Sequence, residues 1–152
     1  NTMGFDLSGM NPNMSRPQPK LPPMTERTKK HWEEYHNWQE ENCGVYFRNN
    51  VWSWRPLWHY VSSVCGNILT DKDIGSGTYN DGHKICKTKA NRIASRLFKL
   101  IRKGDVKAYE SAYRRQQQSL SEDDWDRSYP FSEDNVREFA NFCLNSGGFE
   151  IW

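Results

Sequence analysis

The sequence predicts a mainly α fold: about five helices in one compact domain over residues 25–152, an extended Pro-rich N-terminal arm over 1–24, and at most short strands. Three observations carry this. Apolar residues recur at three- and four-residue steps in two stretches, Leu57, Tyr60, Val61, Val64, Cys65, Ile68, Leu69 and then Ala90, Ile93, Ala94, Leu97, Leu100, Ile101, which is the period of one helix face. Five of the seven prolines fall within residues 4–24, a spacing that breaks helices and interrupts strand ladders. The chain of 152 residues is 14% aromatic. Each ring buries about 150–250 Å², and a chain of this size removes roughly two-thirds of its unfolded surface from water, so a single core is affordable despite a mean hydropathy of −0.97.

The arm comes first. Its apolar residues Phe5, Leu7 and Met10 suggest docking on the protein's own core or on another copy; separately, a homo-oligomer is expected. Glu26 to Asn42 reads as a helix with Trp32, Tyr35 and Trp38 near one face, closed by Cys43-Gly44. Val45–Val51 is a short strand or an ordered loop. Ser53 is the candidate N-cap of the first long stripe, with Pro56 tolerated in the first turn. Residues 70–84 read as a turn-rich connection. Gly104 stops the second stripe, and Asp105 caps a helix through Val106, Tyr109 and Tyr113. Ser132 caps a last helix bearing Val136, Phe139, Ala140, Cys143 and Leu144, which Gly147-Gly148 ends. The apolar tail Phe149–Trp152 is expected to tuck against the body.

Composition narrows the function classes. No apolar run approaches the roughly 18 residues of a membrane span, and no membrane partner is expected. No charged-then-apolar leader opens the chain; Asn1 and Thr2 read as the remnant of an expression tag before a natural start at Met3. Cys43, Cys65, Cys86 and Cys143 form no Cys-x-x-Cys pair and read as reduced structural thiols in a cytosolic protein. His31 and His36 are five residues apart, off the i, i+4 spacing of a helical zinc pair. No metal and no cofactor is expected. The net charge of +2 is unevenly placed: residues 84–118 hold eleven Lys/Arg against two acids, and residues 119–152 two Arg against eight acids.

The densest chemistry lies in Gly44–Val61. Phe47, Arg48, Asn49, Asn50, Trp52, Trp54, Arg55 and Trp58 combine aromatic faces, guanidiniums and amides within twelve residues. A planar anionic ligand such as a nucleotide needs a stacking platform, a phosphate partner and amides for base edges or hydroxyls. An ordinary core explains Trp54 and Trp58, at i and i+4, equally well, and a turn explains Asn49-Asn50. The polar loop Tyr79, Asn80, Asp81, Gly82, His83, Lys84 reads either as a flap over a ligand or as a plain turn. Lys89, Arg92, Arg96, Lys99 and Lys103 share one face of the second striped helix, a surface for nucleic-acid phosphates or a solvated face. No His-Glu-x-x-His, P-loop or Ser/His/Asp motif is present, and no catalytic residue is assigned.

The blocks Gly4-Phe5-Asp6-Leu7, Tyr46-Phe47-Arg48-Asn49-Asn50-Val51-Trp52, Tyr79-Asn80-Asp81-Gly82, Ser128-Tyr129-Pro130-Phe131-Ser132 and Ser146-Gly147-Gly148-Phe149-Glu150-Ile151 resemble a family of small proteins encoded by tailed bacteriophages. The resemblance spans nearly the whole chain. Some relatives carry Cys-x-x-Cys pairs before the Ser-Tyr-Pro-Phe block, whereas residues 119–127 here hold no cysteine, so a zinc knuckle does not carry over. The resemblance implies a phage origin and so the cytoplasm of the infected bacterial host, where small phage proteins often counter host defence; joined to the chemistry of Gly44–Val61, it makes non-catalytic sequestration of a small nucleotide-like signal, such as a cyclic nucleotide, the expected function. In that reading Arg48 and Arg55 hold phosphate, Phe47, Trp52 or Trp54 stacks the base, and Asn49, Asn50 and the 79–84 loop supply polar contacts. The alternatives are a nucleic-acid- or host-protein-binding module using the basic helix 84–103, and a nucleotide-degrading hydrolase.

Overall fold

The computed structural model describes residues 4–121 and 129–152. The elements run β1 (Gly4–Gly9), α1 (Lys29–Glu41), β2 (Tyr46–Asn50), α2 (Val51–Val64), α3 (Asp71–Ser76), β3 (His83–Ile85), α4 (Lys87–Lys103), α5 (Asp105–Ser119), α6 (Glu133–Ser146) and β4 (Phe149–Ile151). The fold is mostly helical, as the stripes predict. It holds six α-helices among the described residues, however, and the strands assemble into one four-stranded antiparallel sheet of order β2-β1-β4-β3. That is more strand than the sequence reading allows.

The reason lies in the termini. No proline precedes Pro12, so Gly4–Gly9 is free to donate along both edges, and it forms an inner strand between β2 and β4. The expectation that no central strand survives in the arm is corrected for these residues. The second inner strand is the tail itself, β4. Alternation does the rest: Phe5, Leu7, Phe47, Ile85, Phe149 and Ile151 point to one face and are buried, while Asp6, Arg48 and Glu150 point to the other. On the inner face Phe5 stacks on Trp54 at 5.3 Å, and Phe47 and Phe149 both pack on Phe139 and Phe142 of α6. α4 lies along α6 with Ala90, Ile93, Ala94 and Leu97 fully buried. The Pro-rich run after β1 crosses α1, where the Trp38 indole donates to the Arg16 carbonyl at 2.9 Å.

Helix ends follow local chemistry. Gly104 and Gly147 sit at φ 82° and 68°, the left-handed conformation that closes a helix with least strain on glycine. Ser132 accepts from the Asn135 N–H at 3.1 Å and caps α6. Several boundaries move: α1 begins at Lys29 behind Thr28 rather than at Glu26, and Gly104 rather than Asp105 holds the N-cap of α5, with Asp105 as its first residue. Asn50, not Ser53, caps α2, its side chain accepting from the Ser53 N–H at 2.9 Å, so Pro56 lies in the second turn. Residues 70–84 are not only turns: Thr70 and Asp73 form a reciprocal capping box, which starts α3, and β3 follows.

Candidate functional site

α2 leaves the sheet with Trp54 and Trp58 pointing inward one turn apart. Their rings stack at 5.3 Å and 13°, Trp54 fully buried and Trp58 2% exposed. Both indole N–H groups donate to the far wall: Trp54 to the Gly77 carbonyl at 2.8 Å, Trp58 to the Ile74 carbonyl at 2.9 Å. They thereby pin α3 and the turn after it. Gly77 is required there, because a Cβ would lie 2.1 Å from the Trp58 indole.

Beside this pair opens a cleft of about 1020 Å³, bounded by α2 (Arg55, His59, Ser62), the end of α3 and its turn (Ile74, Thr78, Tyr79), α5 (Tyr109, Tyr113, Gln116, Gln117, Ser119), Leu120 and Tyr129. Its walls are aromatic. Tyr109 and Tyr113 lie near-parallel at 6.2 Å, and Trp52 meets Tyr129 edge-on at 4.9 Å. The Tyr129 carbonyl accepts from Tyr113 Oη at 2.7 Å and from Gln117 Nε2, which fixes that side. The Arg55 guanidinium is exposed and reaches Tyr129 Oη at 3.5 Å. It is the one full cation of the lining, which holds no carboxylate among the described residues. Burial raises the Tyr109 phenol above its ordinary pKa. Ser62 Oγ is buried with no hydrogen-bond partner among the described residues.

Of the residues singled out from sequence, Trp54, Arg55, Trp58 and Tyr79 line this cleft; the others do not. Phe47 is sealed against Phe139 and Phe142, so neither it nor the fully buried Trp54 offers a free face to a base. Arg48 lies on the outer face of the sheet, where Asp6 accepts from it at 3.0 and 3.2 Å. Tyr46 also donates to Asp6; burial first, then that bond, pushes its phenol up to about 12. Asn49 exchanges amide hydrogen bonds with Asn135 at 2.8 and 3.1 Å, joining β2 to α6, and Asn50 is a cap. Neither forms a turn with positive φ. Asn80 donates to the Gly4 carbonyl at 3.1 Å, Asp81 is exposed, and Lys84 lies 3.8 Å from Glu150.

His83 and Lys89 converge on Asp73, at 2.8 and 2.5 Å. Burial raises this carboxyl, but bonds from Lys89, the Thr70 backbone and His83 outweigh it and hold it well below the usual carboxylate range. The cluster ties α3, β3 and α4 together. Arg96 donates to the Val64 carbonyl and to Asn67 Oδ1, while Arg92, Lys99 and Lys103 are exposed.

Ser62, Tyr109, Tyr113, Gln116, Gln117 and Tyr129 were not singled out. Tyr109 and Tyr113 at i, i+4 with two glutamines one turn on is the signal that marks one helix face as aromatic and then amide-bearing. The acids Glu122, Asp123, Asp124 and Asp126, whose charge complements the basic face of α4, lie outside the described residues. No group of three or more His, Cys, Asp or Glu able to hold a metal occurs among the described residues, and none of their helices is long and apolar enough to cross a membrane. Cys65 and Cys143 are buried, Cys43 and Cys86 exposed, and all four are free. No protein-family model, no curated protein and no solved structure matches this chain.

Proposed function

We propose that the cleft beside α2 binds a small nucleotide-like molecule and holds it unchanged. The observation that carries this is the lining: tyrosine and indole walls, two glutamine amides and Arg55 as the one cation, with no carboxylate among the described residues. Its volume of about 1020 Å³ is at the upper end of ordinary small-molecule sites. The base platform moves from tryptophan to tyrosine. Tyr79 is 66% exposed and Tyr113 and Tyr129 are half-buried, and a stacked base contributes about 1–3 kcal/mol. Arg55 takes phosphate, Gln116 the base edge or ribose hydroxyls, and Ser62 Oγ gains the partner it lacks. Arg48 has no part in the site.

The resemblance to phage proteins supplies the setting: sequestration of a host defence signal in the cytoplasm of an infected bacterium, by a homo-oligomer whose copy number light scattering will give. The test is a melting series with cyclic dinucleotides and ADP-ribose derivatives, followed by recovery of the ligand after heating. A ligand at a hundred times its dissociation constant adds about 2.7 kcal/mol, roughly 5–10 °C for a chain of this length. The shift should vanish in Arg55→Ala, persist in Arg48→Ala, and return the ligand intact. Flat curves across the panel, or a recovered product in place of the ligand, would overturn the reading.

A further inference from the structure

α4 presents a second surface, independent of the cleft. Its apolar side is closed inside the fold, and on the opposite side Arg92, Arg96, Lys99 and Lys103 follow one another at steps of four, three and four, stacked along one face. Three facts separate this face from a merely solvated one. The helix carries no acid from Lys87 to Lys103, although like charges at i, i+3 and i, i+4 each destabilise a helix by about 0.2–0.5 kcal/mol and one interposed glutamate would relieve it. Among the described residues no carboxylate pairs with five cations of this one helix, Lys87, Arg92, Lys99, Arg102 and Lys103, so the unpaired charge is concentrated here although scattered cations such as Arg27, Lys30, Lys72 and Arg115 also lack a carboxylate. Finally, Arg96 is anchored on the Val64 carbonyl and Asn67 Oδ1, beside a shallow groove of about 330 Å³ lined by Ile68, Asn91, Arg92, Ser95, Arg96 and Lys99.

We infer that this face docks the sugar–phosphate backbone of duplex nucleic acid without reading its bases. The cations supply charge, and the short Asn91 and Ser95 side chains leave phosphate oxygens room to approach and offer hydrogen bonds. The apolar side chains of α4 face the core, so this face has no aromatic platform for unstacked bases, no buried anchor for a protein partner and no wedge for a membrane.

The test is fluorescence anisotropy of a labelled DNA duplex of arbitrary sequence across a salt series. Arg92, Lys99 and Lys103 as three phosphate contacts predict a log–log slope near −2.7, about a 40-fold loss of affinity between 50 and 200 mM salt. Arg92→Ala, Lys99→Ala and Lys103→Ala should each weaken binding and flatten the slope by about 0.9 with melting temperatures unchanged. Arg55→Ala should bind as the parent does. No binding at 50 mM salt, or binding that all three substitutions leave intact, would overturn the inference. So would tighter binding to single-stranded DNA or to a poly-glutamate peptide than to the duplex.

Discussion

Asp73→Asn tests how the wall of the cleft is held. The Asp73 carboxylate, 5% exposed, accepts from Lys89 Nζ, His83 Nε2 and the Thr70 N–H at 2.5, 2.8 and 3.0 Å. The isosteric amide keeps one oxygen and turns an NH₂ group toward a donor, so at least one charge-assisted bond is lost and another loses its charge. Hydrogen bonds to charged groups contribute about 1.5–3 kcal/mol each. Lys89 is 29% exposed and regains part of its hydration, which places the expected loss at about 2–4 kcal/mol, or roughly 5–15 °C in Tm. The pH dependence has a definite sign. The folded carboxyl lies below its ordinary value of 3.8, so its contribution is whole above that value and disappears as pH falls through the folded pKa. At about pH 3 an unfolded carboxyl of pKa 3.8 has already bound most of a proton, and the gap between parent and variant narrows by about 1 kcal/mol. Urea unfolding followed by tryptophan fluorescence at neutral pH and near pH 3 measures both quantities. A neutral-pH difference below about 1 kcal/mol, or a gap that does not narrow in acid, would refute the reasoning.

Two further perturbations probe the same architecture. Gly77→Ala keeps an allowed backbone, since φ is −67°, but drives a methyl into Trp58; a loss of about 1–3 kcal/mol and an altered near-UV tryptophan signal are expected by calorimetry and circular dichroism. Phe5→Ala removes a 4% exposed ring stacked on Trp54 and should cost about 3–5 kcal/mol in denaturant unfolding, where a detached arm would show no change.

The long helices were legible because each repeats its own period. The residues of α2, α4 and α6 that face the core lie on stripes visible in the chain, and Gly104, Ser132 and Gly147 stop or start helices by backbone chemistry local to each. β1 and β4 were not legible as central strands. A strand of three to six residues has too few alternations to stand out, and its partner lies across the chain: Leu7 pairs with Ile151. α3 escaped for a similar reason, being six residues long with only the Thr70–Asp73 box to announce it.

The Gly44–Val61 segment shows how sequence density misleads about a site. Within it the chain changes from strand to helix, and each geometry sends its side chains along a different direction. β2 alternates, so Phe47 enters the core while Arg48 leaves by the opposite face. α2 then turns by its helical period, so Trp54 and Trp58 face inward and Arg55 looks into the cleft. Adjacent residues therefore serve three separate places. The cleft draws instead on Tyr79, Tyr113 and Tyr129, which no short motif joins.

Taken by itself, the sequence determined the helical class, the ends of α4 and α6, and the basic character of one face of α4, because all of these depend on neighbours within a turn or two. Only the tertiary structure decided that the two ends of the chain lie side by side in the sheet, that Lys89 and Arg96 have internal partners while Arg92, Lys99 and Lys103 do not, and that Arg55 rather than Arg48 faces an aromatic cavity. Those outcomes depend on which distant segments meet, and packing sets that.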